Sequence, residues 1–292
     1  MKRFSTMIAI TIAILLMLPV FALAQAPVDP KGTLYGGNGT DLLFYYYRNY
    51  SADKSYANNV STINNKFKFD YSLARWAHYG ELAGIPWVSN IIIPYGSKTV
   101  ETRIGTASAT NATSSGLGDV CGMFGMYFLK NQKFEGVFHL NVTAPTGEYR
   151  SDSTVNMGSN KWSYGPELGF AYKAIPKLLV EAYGLVYFST ENTDYGVNHS
   201  SLSTDPLFKA STNVSYDLTD KLFFAGTYYW VRGGETSRDG VKQMNDIATQ
   251  AAMVTAGLKV EKIQILFQYV RDLDVKNGFQ TSGIQLRALY AF

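Results

Sequence analysis

Residues 207–218 read LFKASTNVSYDL, and apolar and polar side chains alternate along this stretch. One face holds Phe208, Ala210, Thr212, Val214, Tyr216 and Leu218; the other holds Lys209, Ser211, Asn213, Ser215 and Asp217. A period of two residues predicts a β-strand with a different solvent on each face. Strands of soluble sheets usually run about 5–6 residues, whereas a membrane-crossing strand needs about 9–11. The length of this stretch therefore favours a membrane-crossing strand.

The same alternation recurs at 134–144 and 284–292, and twelve candidate strands follow from it: 40–50, 64–74, 84–95, 118–129, 134–145, 161–173, 178–189, 206–217, 221–232, 248–259, 262–271 and 282–292. From the fourth strand onward, tight turns alternate with longer polar connections; the longer set is 96–117, 146–160, 190–205, 233–247 and 272–281. Outer-membrane barrels have this pattern of short periplasmic turns and long external loops. We predict an all-β protein, a transmembrane antiparallel up-and-down β-barrel of about twelve strands. Ten or fourteen strands stay open, because 74–82 makes a poor tight turn.

The N-terminal region has the features of a secretory signal peptide. Lys2 and Arg3 precede an uncharged apolar run, and Ala22-Leu23-Ala24 offers small residues for cleavage after Ala24. The alternative is a membrane anchor, which Pro19 and the cleavage site disfavour. The predicted organisation is a signal peptide at 1–24, a short periplasmic or plug segment at 25–39, and a barrel at 40–292.

The composition agrees with a barrel in the bacterial outer membrane. Aromatic residues make up 14% of the chain, and the mean hydropathy is −0.07. The formal net charge of +3 includes the two cations of the signal peptide, so we expect no nucleic-acid partner. The single cysteine, Cys121, cannot form an internal disulfide. The sequence has no pattern typical of a metal site or a phosphate-binding loop, and we expect no cofactor.

The last candidate strand must pair with the first, because an unpaired strand edge in hydrocarbon is costly. Its register is fixed by Arg287, which would face lipid after a slip of one residue. Aromatic residues near strand ends predict two interfacial girdles: 162–164 and 228–230 at the outer end, Tyr172 and 223–224 at the inner end. The terminal Phe292, with Tyr290, resembles the sequence by which the barrel-assembly machinery recognises its clients.

Several short motifs resemble a known family. They are Gly116-Leu117-Gly118-Asp119, NVTAPTGEY at 141–149, NMGSNKWSYGPELG at 156–169, and ENTDY at 191–195. Together they make residues 90–292 similar to the outer-membrane proteins named for the meta-pathway of phenol degradation. The resemblance implies a channel or transporter associated with the uptake of aromatic or other hydrophobic compounds. We interpret Gly118 and Gly147 as turn residues with unusual backbone angles, and Asp119 and Glu148 as residues that pin loops.

If the apolar faces meet lipid, the polar faces line the lumen. The candidate pore-lining or solute-binding residues are Lys68, Asp70, Glu135, His139, Asn141, Glu167, Glu181, Lys209, Asn213 and Arg287. Both charges occur in similar number, which disfavours a strongly ion-selective pore. These residues either pair across the lumen and hold its shape or contact a passing solute. A barrel of about eight strands has an interior filled by side chains, and one of about sixteen to eighteen strands has an open aqueous channel. A barrel of about twelve strands is intermediate in size, so we expect a narrow passage.

Three alternatives to a channel stay open. A barrel lipase would need an activated serine, and His139 with Asn141 is the best candidate pair among the three histidines, yet no nucleophile motif is present. A receptor or adhesin would act through the external loops 96–117 and 190–205. A purely structural barrel would need no catalytic residues and no binding loop. We expect a non-enzymatic channel that passes small hydrophobic or aromatic solutes by diffusion. Its expected partners are such solutes, outer-membrane lipid, lipopolysaccharide and, through Phe292, the assembly machinery.

Overall fold

Twelve antiparallel strands form a closed β-barrel. The computed structural model describes residues 29–62, 65–102 and 110–292. The predicted signal peptide and the start of the segment 25–39 lie outside the described residues. The last strand pairs with the first in one continuous register, from Leu42 opposite Ala291 to Ser51 opposite Ser282. Every strand in the wall is therefore hydrogen-bonded on both sides, as a barrel in hydrocarbon requires.

The strands are β1 Asp41–Ala52, β2 Asn65–Leu82, β3 Ile85–Thr102, β4 in two segments Thr110–Leu117 and Cys121–Lys130, β5 Phe134–Thr143, β6 Ser163–Ile175, β7 Leu178–Ser189, β8 Leu207–Asp217, β9 Leu222–Gly233, β10 Ile247–Val260, β11 Ile263–Val275 and β12 Ser282–Ala291. Each corresponds to one predicted strand. Short turns join the strands at one end, which is the periplasmic end in outer-membrane barrels, and longer loops join them at the external end. No helix in the described ranges is long and apolar enough to cross a membrane.

The predicted alternation is confirmed along most of the wall. On β8, Phe208 is 48% exposed on the outside, while Lys209 and Asn213 are buried in the lumen. On β5, Phe138 faces out and His139 faces in. The aromatic girdle prediction is wrong in two places, because Phe223 and Tyr229 point inward between outward-facing neighbours. Adjacent residues on a strand face opposite sides, so a run of aromatic residues cannot all meet lipid.

β2 and β3 extend much further than predicted, each over 18 residues. Residues 74–82, the doubtful turn, continue β2, and the chain turns at Ala83–Gly84 with positive φ angles of 51° and 81°. Much of the predicted loop 96–117 is strand as well, because β3 ends at Thr102 and β4 begins at Thr110. These Ser-, Thr- and Gly-rich stretches lack the apolar alternation of a lipid-facing strand, so the sequence pattern missed them.

Two of the predicted lumen residues, Lys68 and Asp70, lie on the outside of the barrel. They alternate along β2 with Phe67, Phe69 and Tyr71, and the aromatic residues are the ones buried inside. Asp70 accepts a hydrogen bond from the Tyr47 hydroxyl at 3.2 Å, which is also on the outer face. The period was predicted correctly and the orientation was wrong. The outer ends of β2 and β3 carry polar side chains outward, as strands in water do, so charge there does not mark the lumen.

Candidate functional site

The chain before β1 lies inside the barrel. Residues 29–40, here called the luminal segment, contact the inward faces of strands on several sides of the wall. At its start, the Asp29 carboxylate accepts hydrogen bonds from Arg287 Nη1 at 3.0 Å and from the Tyr46 hydroxyl at 2.8 Å. Tyr46 belongs to β1 and Arg287 to β12, so Asp29 bridges the two strands that close the barrel.

The middle of the luminal segment is held by Glu181 on β7. The backbone amides of Lys31 and Thr33 donate to the two carboxylate oxygens of Glu181, at 2.6 and 3.0 Å. The Lys31 ammonium pairs with Asp217 and lies 4.3 Å from the centroid of the Phe223 ring. A carboxylate that accepts two backbone amides forms stronger hydrogen bonds than a neutral acceptor would. The segment is thereby fixed to β7, which lies across the barrel from the pairing of β1 with β12 that closes the wall.

The end of the luminal segment packs among aromatic rings. Tyr35 makes edge-on contacts with Tyr79 and Tyr127, at centroid distances of 5.5 and 5.2 Å. Its backbone amide donates to Glu135 Oε2 at 2.7 Å. At Gly36, an added Cβ would lie 2.9 Å from the Tyr79 ring, so only glycine fits this approach without a shift. The segment is therefore packed into the lumen as well as hydrogen-bonded.

A cavity of about 530 Å³ lies beside the luminal segment. Its apolar wall includes Phe44, Tyr46, Leu73, Tyr79, Ile92 and Tyr127. Its polar wall includes Arg48, Arg75, Asn90, His139, Lys209 and Arg287. An aromatic wall with a few convergent polar groups is the usual composition of a small-molecule site.

Three arginines line this cavity close to the Phe44 ring or its neighbour Tyr46. The guanidinium of Arg75 lies 4.8 Å from the Phe44 centroid and that of Arg287 lies 5.5 Å from it, which are cation–π distances. Arg48 lies 5.5 Å from the Tyr46 centroid. Of the three, only Arg287 is among the predicted lumen residues. The sequence does not predict Arg75 as a lumen residue, because it lies in the doubtful turn 74–82, nor Arg48, because it follows three consecutive tyrosines that obscure the alternation.

The other predicted lumen residues are where the alternation put them. Buried on inward faces are Glu135, His139, Asn141, Glu167, Glu181, Lys209, Asn213 and Arg287. His139 Nδ1 and Glu167 Oε1 are 2.8 Å apart, and Lys209 lies 5.3 Å from the Tyr187 ring centroid. Contact with a solute stays a prediction for all eight.

The loop 144–162 folds over the external end of the lumen and is fixed by Asp119. Asp119 Oδ1 accepts from the Gly147 amide at 2.9 Å, and Oδ2 accepts from the Ser159 amide and hydroxyl at 2.8 and 2.6 Å. The prediction that Asp119 pins a loop is confirmed. In the same loop, Val155 and Met157 are buried in a cluster with the β2 aromatics.

The interpretation of Gly118 and Gly147 as residues with unusual backbone angles is wrong, since neither has a positive φ. Close packing explains them instead. A Cβ at Gly147 would lie 2.7 Å from backbone atoms of Gly118 and Gly158, and a Cβ at Gly118 would lie 2.5 Å from the Tyr71 hydroxyl. Nearby, burial raises the pKa of the Tyr149 phenol, which donates to the Asp194 carbonyl at 2.8 Å. Two neighbouring external loops are joined by that bond.

Residues 45–288 match the family described as "Putative MetA-pathway of phenol degradation". The chain belongs to this family. The matched range contains ten of the twelve strands in full, β2 to β11, together with most of β1 and most of β12. The closed sheet and the apolar outer face described above place this chain in the bacterial outer membrane. No curated protein is significantly similar in sequence.

Solved structures with the same fold are outer-membrane barrels. The COG4313 outer membrane channel from Pseudomonas putida F1 superposes with a TM-score of 0.85 at 24% identity, over 91% of this chain and 100% of that chain. The β domain of the Bordetella autotransporter BrkA gives 0.52 at 10% identity, over 88% and 99%. The translocator domain of the autotransporter NalP from Neisseria meningitidis gives 0.50 at 12% identity, over 90% and 91%. At these identities the likeness concerns the fold.

Proposed function

We propose that this family member is a non-enzymatic outer-membrane channel that passes small hydrophobic or aromatic solutes through its lumen. The observation that carries the proposal is the aromatic cavity of about 530 Å³ inside the barrel, next to the luminal segment. Its size is large enough for a small aromatic solute, and its mixed wall offers that solute aromatic contacts and a few polar groups. The P. putida protein with the same fold is described as a channel, which supports the proposal by analogy.

In this proposal the luminal segment is a plug. It is tied to Arg287, Glu181 and Glu135, on three separate strands of the wall, so it obstructs the periplasmic half of the lumen. The aromatic cavity runs beside the segment as far as Glu261 and Lys262 at the periplasmic turn, and a solute passes through it when the segment moves aside. Since hydrogen bonds and ion pairs hold the segment, its displacement is reversible and needs no covalent chemistry.

The remaining partners also belong to this proposal. Phospholipid and lipopolysaccharide surround the apolar outer face, and Phe292 presents the last strand to the barrel-assembly machinery. Phe292 exchanges two backbone hydrogen bonds with Asp41, at 3.0 and 3.1 Å, so the end of the chain completes the seam with β1. His139 is bonded to Glu167 inside the barrel, an arrangement that serves lumen shape better than catalysis.

Planar-bilayer recording of the refolded mature protein tests the proposal. We expect brief openings for the intact protein, a larger and steadier conductance after deletion of residues 25–36, and a change in the openings when toluene is added. The luminal path is contradicted if the deletion variant is folded and silent. Such a result would favour lateral transport through the wall or a function of the external loops.

A further inference from the structure

The lumen already binds one carboxylate, that of Asp29. Its oxygens accept hydrogen bonds from Arg287 Nη1 at 3.0 Å, Tyr46 Oη at 2.8 Å and Gln285 Nε2 at 3.3 Å. Asp29 is 8% exposed, Arg287 and Tyr46 are each 5% exposed, and Gln285 is fully buried. The wall of the barrel therefore contains a preformed set of donors for a carboxylate, and the luminal segment supplies the acceptor.

The cavity next to this carboxylate has more positive groups than Asp29 neutralises. Away from Lys31 and the exposed turn residues, four cations line it, Arg48, Arg75, Lys209 and Arg287, against the carboxylates of Asp29 and Glu167, and Glu167 is bonded to His139. Among the described residues, buried donors with no hydrogen-bond partner include Arg48 Nη1 and Asn90 Nδ2. Unpaired buried donors are costly unless a ligand satisfies them. The site therefore favours an anion.

Two of the cations in the cavity also lie next to an aromatic ring. Arg75 and Arg287 both lie within cation–π distance of the Phe44 ring, and Arg75 Nε donates to Asn90 Oδ1 at 2.7 Å. The two guanidinium groups thus lie against the Phe44 ring, which is itself part of the apolar wall of the cavity. A ligand with a carboxylate at one end and an aromatic ring at the other matches both parts.

We propose that the cavity binds monoaromatic carboxylates, and that the solute carboxylate replaces that of Asp29 on Arg287 and Tyr46. Binding of the solute and retention of the luminal segment then compete for the same donors, so an aromatic acid loosens the segment that obstructs its own path. The effect of binding on solute passage rests on the proposed channel function. The binding of the aromatic acid itself can be measured without transport.

Calorimetric titration of the refolded protein in detergent tests the exchange, with benzoate as the probe and benzyl alcohol as the neutral control. We expect the intact protein to bind benzoate more tightly than benzyl alcohol. Asp29→Ala removes the competing carboxylate and should tighten benzoate binding about tenfold, which is the effect of about 1.4 kcal/mol. Arg75→Gln leaves the hydrogen bonds of Asp29 in place and should weaken benzoate binding about tenfold, as should Arg287→Gln. Arg150→Gln, in an exposed external loop, is the matched control and should change nothing.

Equal affinities for benzoate and benzyl alcohol in both the intact protein and Asp29→Ala would overturn the inference. Gel mobility before and after heating identifies any variant that has not folded, and Arg75→Gln keeps the test decisive if Arg287→Gln fails to fold. Planar-bilayer recording separates the two proposals. Selective benzoate binding by a folded protein that shows no openings would refute the channel, whereas openings that toluene alters, without selective benzoate binding, would refute the carboxylate site.

Discussion

Glu181 and Thr33 are 148 positions apart in the chain, and the Thr33 amide donates to Glu181 Oε1 at 3.0 Å with both residues buried. One strand residue thereby holds a segment that precedes the whole barrel. Glu181 also accepts the Lys31 amide at 2.6 Å, so one carboxylate holds two backbone amides in the middle of the luminal segment.

Glu181→Ala should release the middle of the segment. Losing two hydrogen bonds to a charged group removes about 3–6 kcal/mol of docking free energy. We expect larger and longer openings in planar bilayers than for the intact protein. Glu191→Ala, at an exposed position in an external loop, is the control and should leave the openings unchanged. An unchanged conductance for folded Glu181→Ala would show that the segment does not limit the path.

Gly147→Ala should displace the loop 144–162. The new Cβ would lie 2.7 Å from backbone atoms, which cannot rotate away as a side chain can. Overpacking of this kind costs about 1–3 kcal/mol, and we expect a lower thermal unfolding midpoint. Gly184→Ala is the matched control, because nothing lies within 4 Å of its Cβ. Equal midpoints for the two variants would contradict the packing explanation.

Asp119→Ala removes the carboxylate that fixes both ends of the same loop. Each hydrogen bond to a charged group contributes about 1.5–3 kcal/mol, and three are lost. Trypsin added to intact cells should then cleave after the exposed Arg150 much faster than in the unchanged protein. Glu191→Ala, at an exposed position in a neighbouring external loop, is the control and should alter cleavage little. If Asp119→Ala resists trypsin as well as the intact protein does, the loop is held by other contacts.

Lys68→Ala and Asp70→Ala should leave conductance and solute entry unaltered, because both residues lie on the outside of the barrel. The comparison is with Arg75→Gln, on the inward face of the same strand, which should change aromatic-solute entry. Single-channel recording of the three variants checks this assignment. A change in Lys68→Ala comparable to that in Arg75→Gln would mean that the orientation of β2 is reversed.

Phe138→Arg places a charge on the lipid-facing side of β5. Arg at the bilayer midplane costs about 2–4 kcal/mol in barrels, with a smaller cost near the interfaces. We expect a loss of that size in the free energy of folding, measured by urea titration in lipid vesicles. Ser51→Arg, on the outer face near the external end of β1, should cost far less. Similar losses would place both positions at the same depth.

The sequence was sufficient to predict a strand and its orientation wherever one face of that strand meets lipid and the other meets the polar lumen. On β5 and β8 this contrast gave both the period and the orientation. On β2 it gave only the period, since Phe67 and Phe69 turn inward at the external end. An alternating strand has the same pattern in either orientation, and only its neighbours decide between them.

The candidate site was predicted in part for a related physical reason. Single strands identify which residues face inward, and eight of the ten candidates do so. They do not identify which residues meet across the lumen. Asp29 reaches Arg287 because a segment without regular structure enters the barrel, and no periodic pattern marks such a path. Arg75 was hidden in a stretch whose strand continues beyond the expected length.

The position of Asp29 at the seam has a consequence for biogenesis. Its carboxylate is bound by Tyr46 of β1 and by Arg287 of β12, so the docked segment adds a side-chain contact to each of the two strands that close the wall. A shift of the last strand by one residue would turn Arg287 outward and leave the buried Asp29 without its cation. The contact between Asp29 and Arg287 therefore favours the native register of the last strand over a register shifted by one residue.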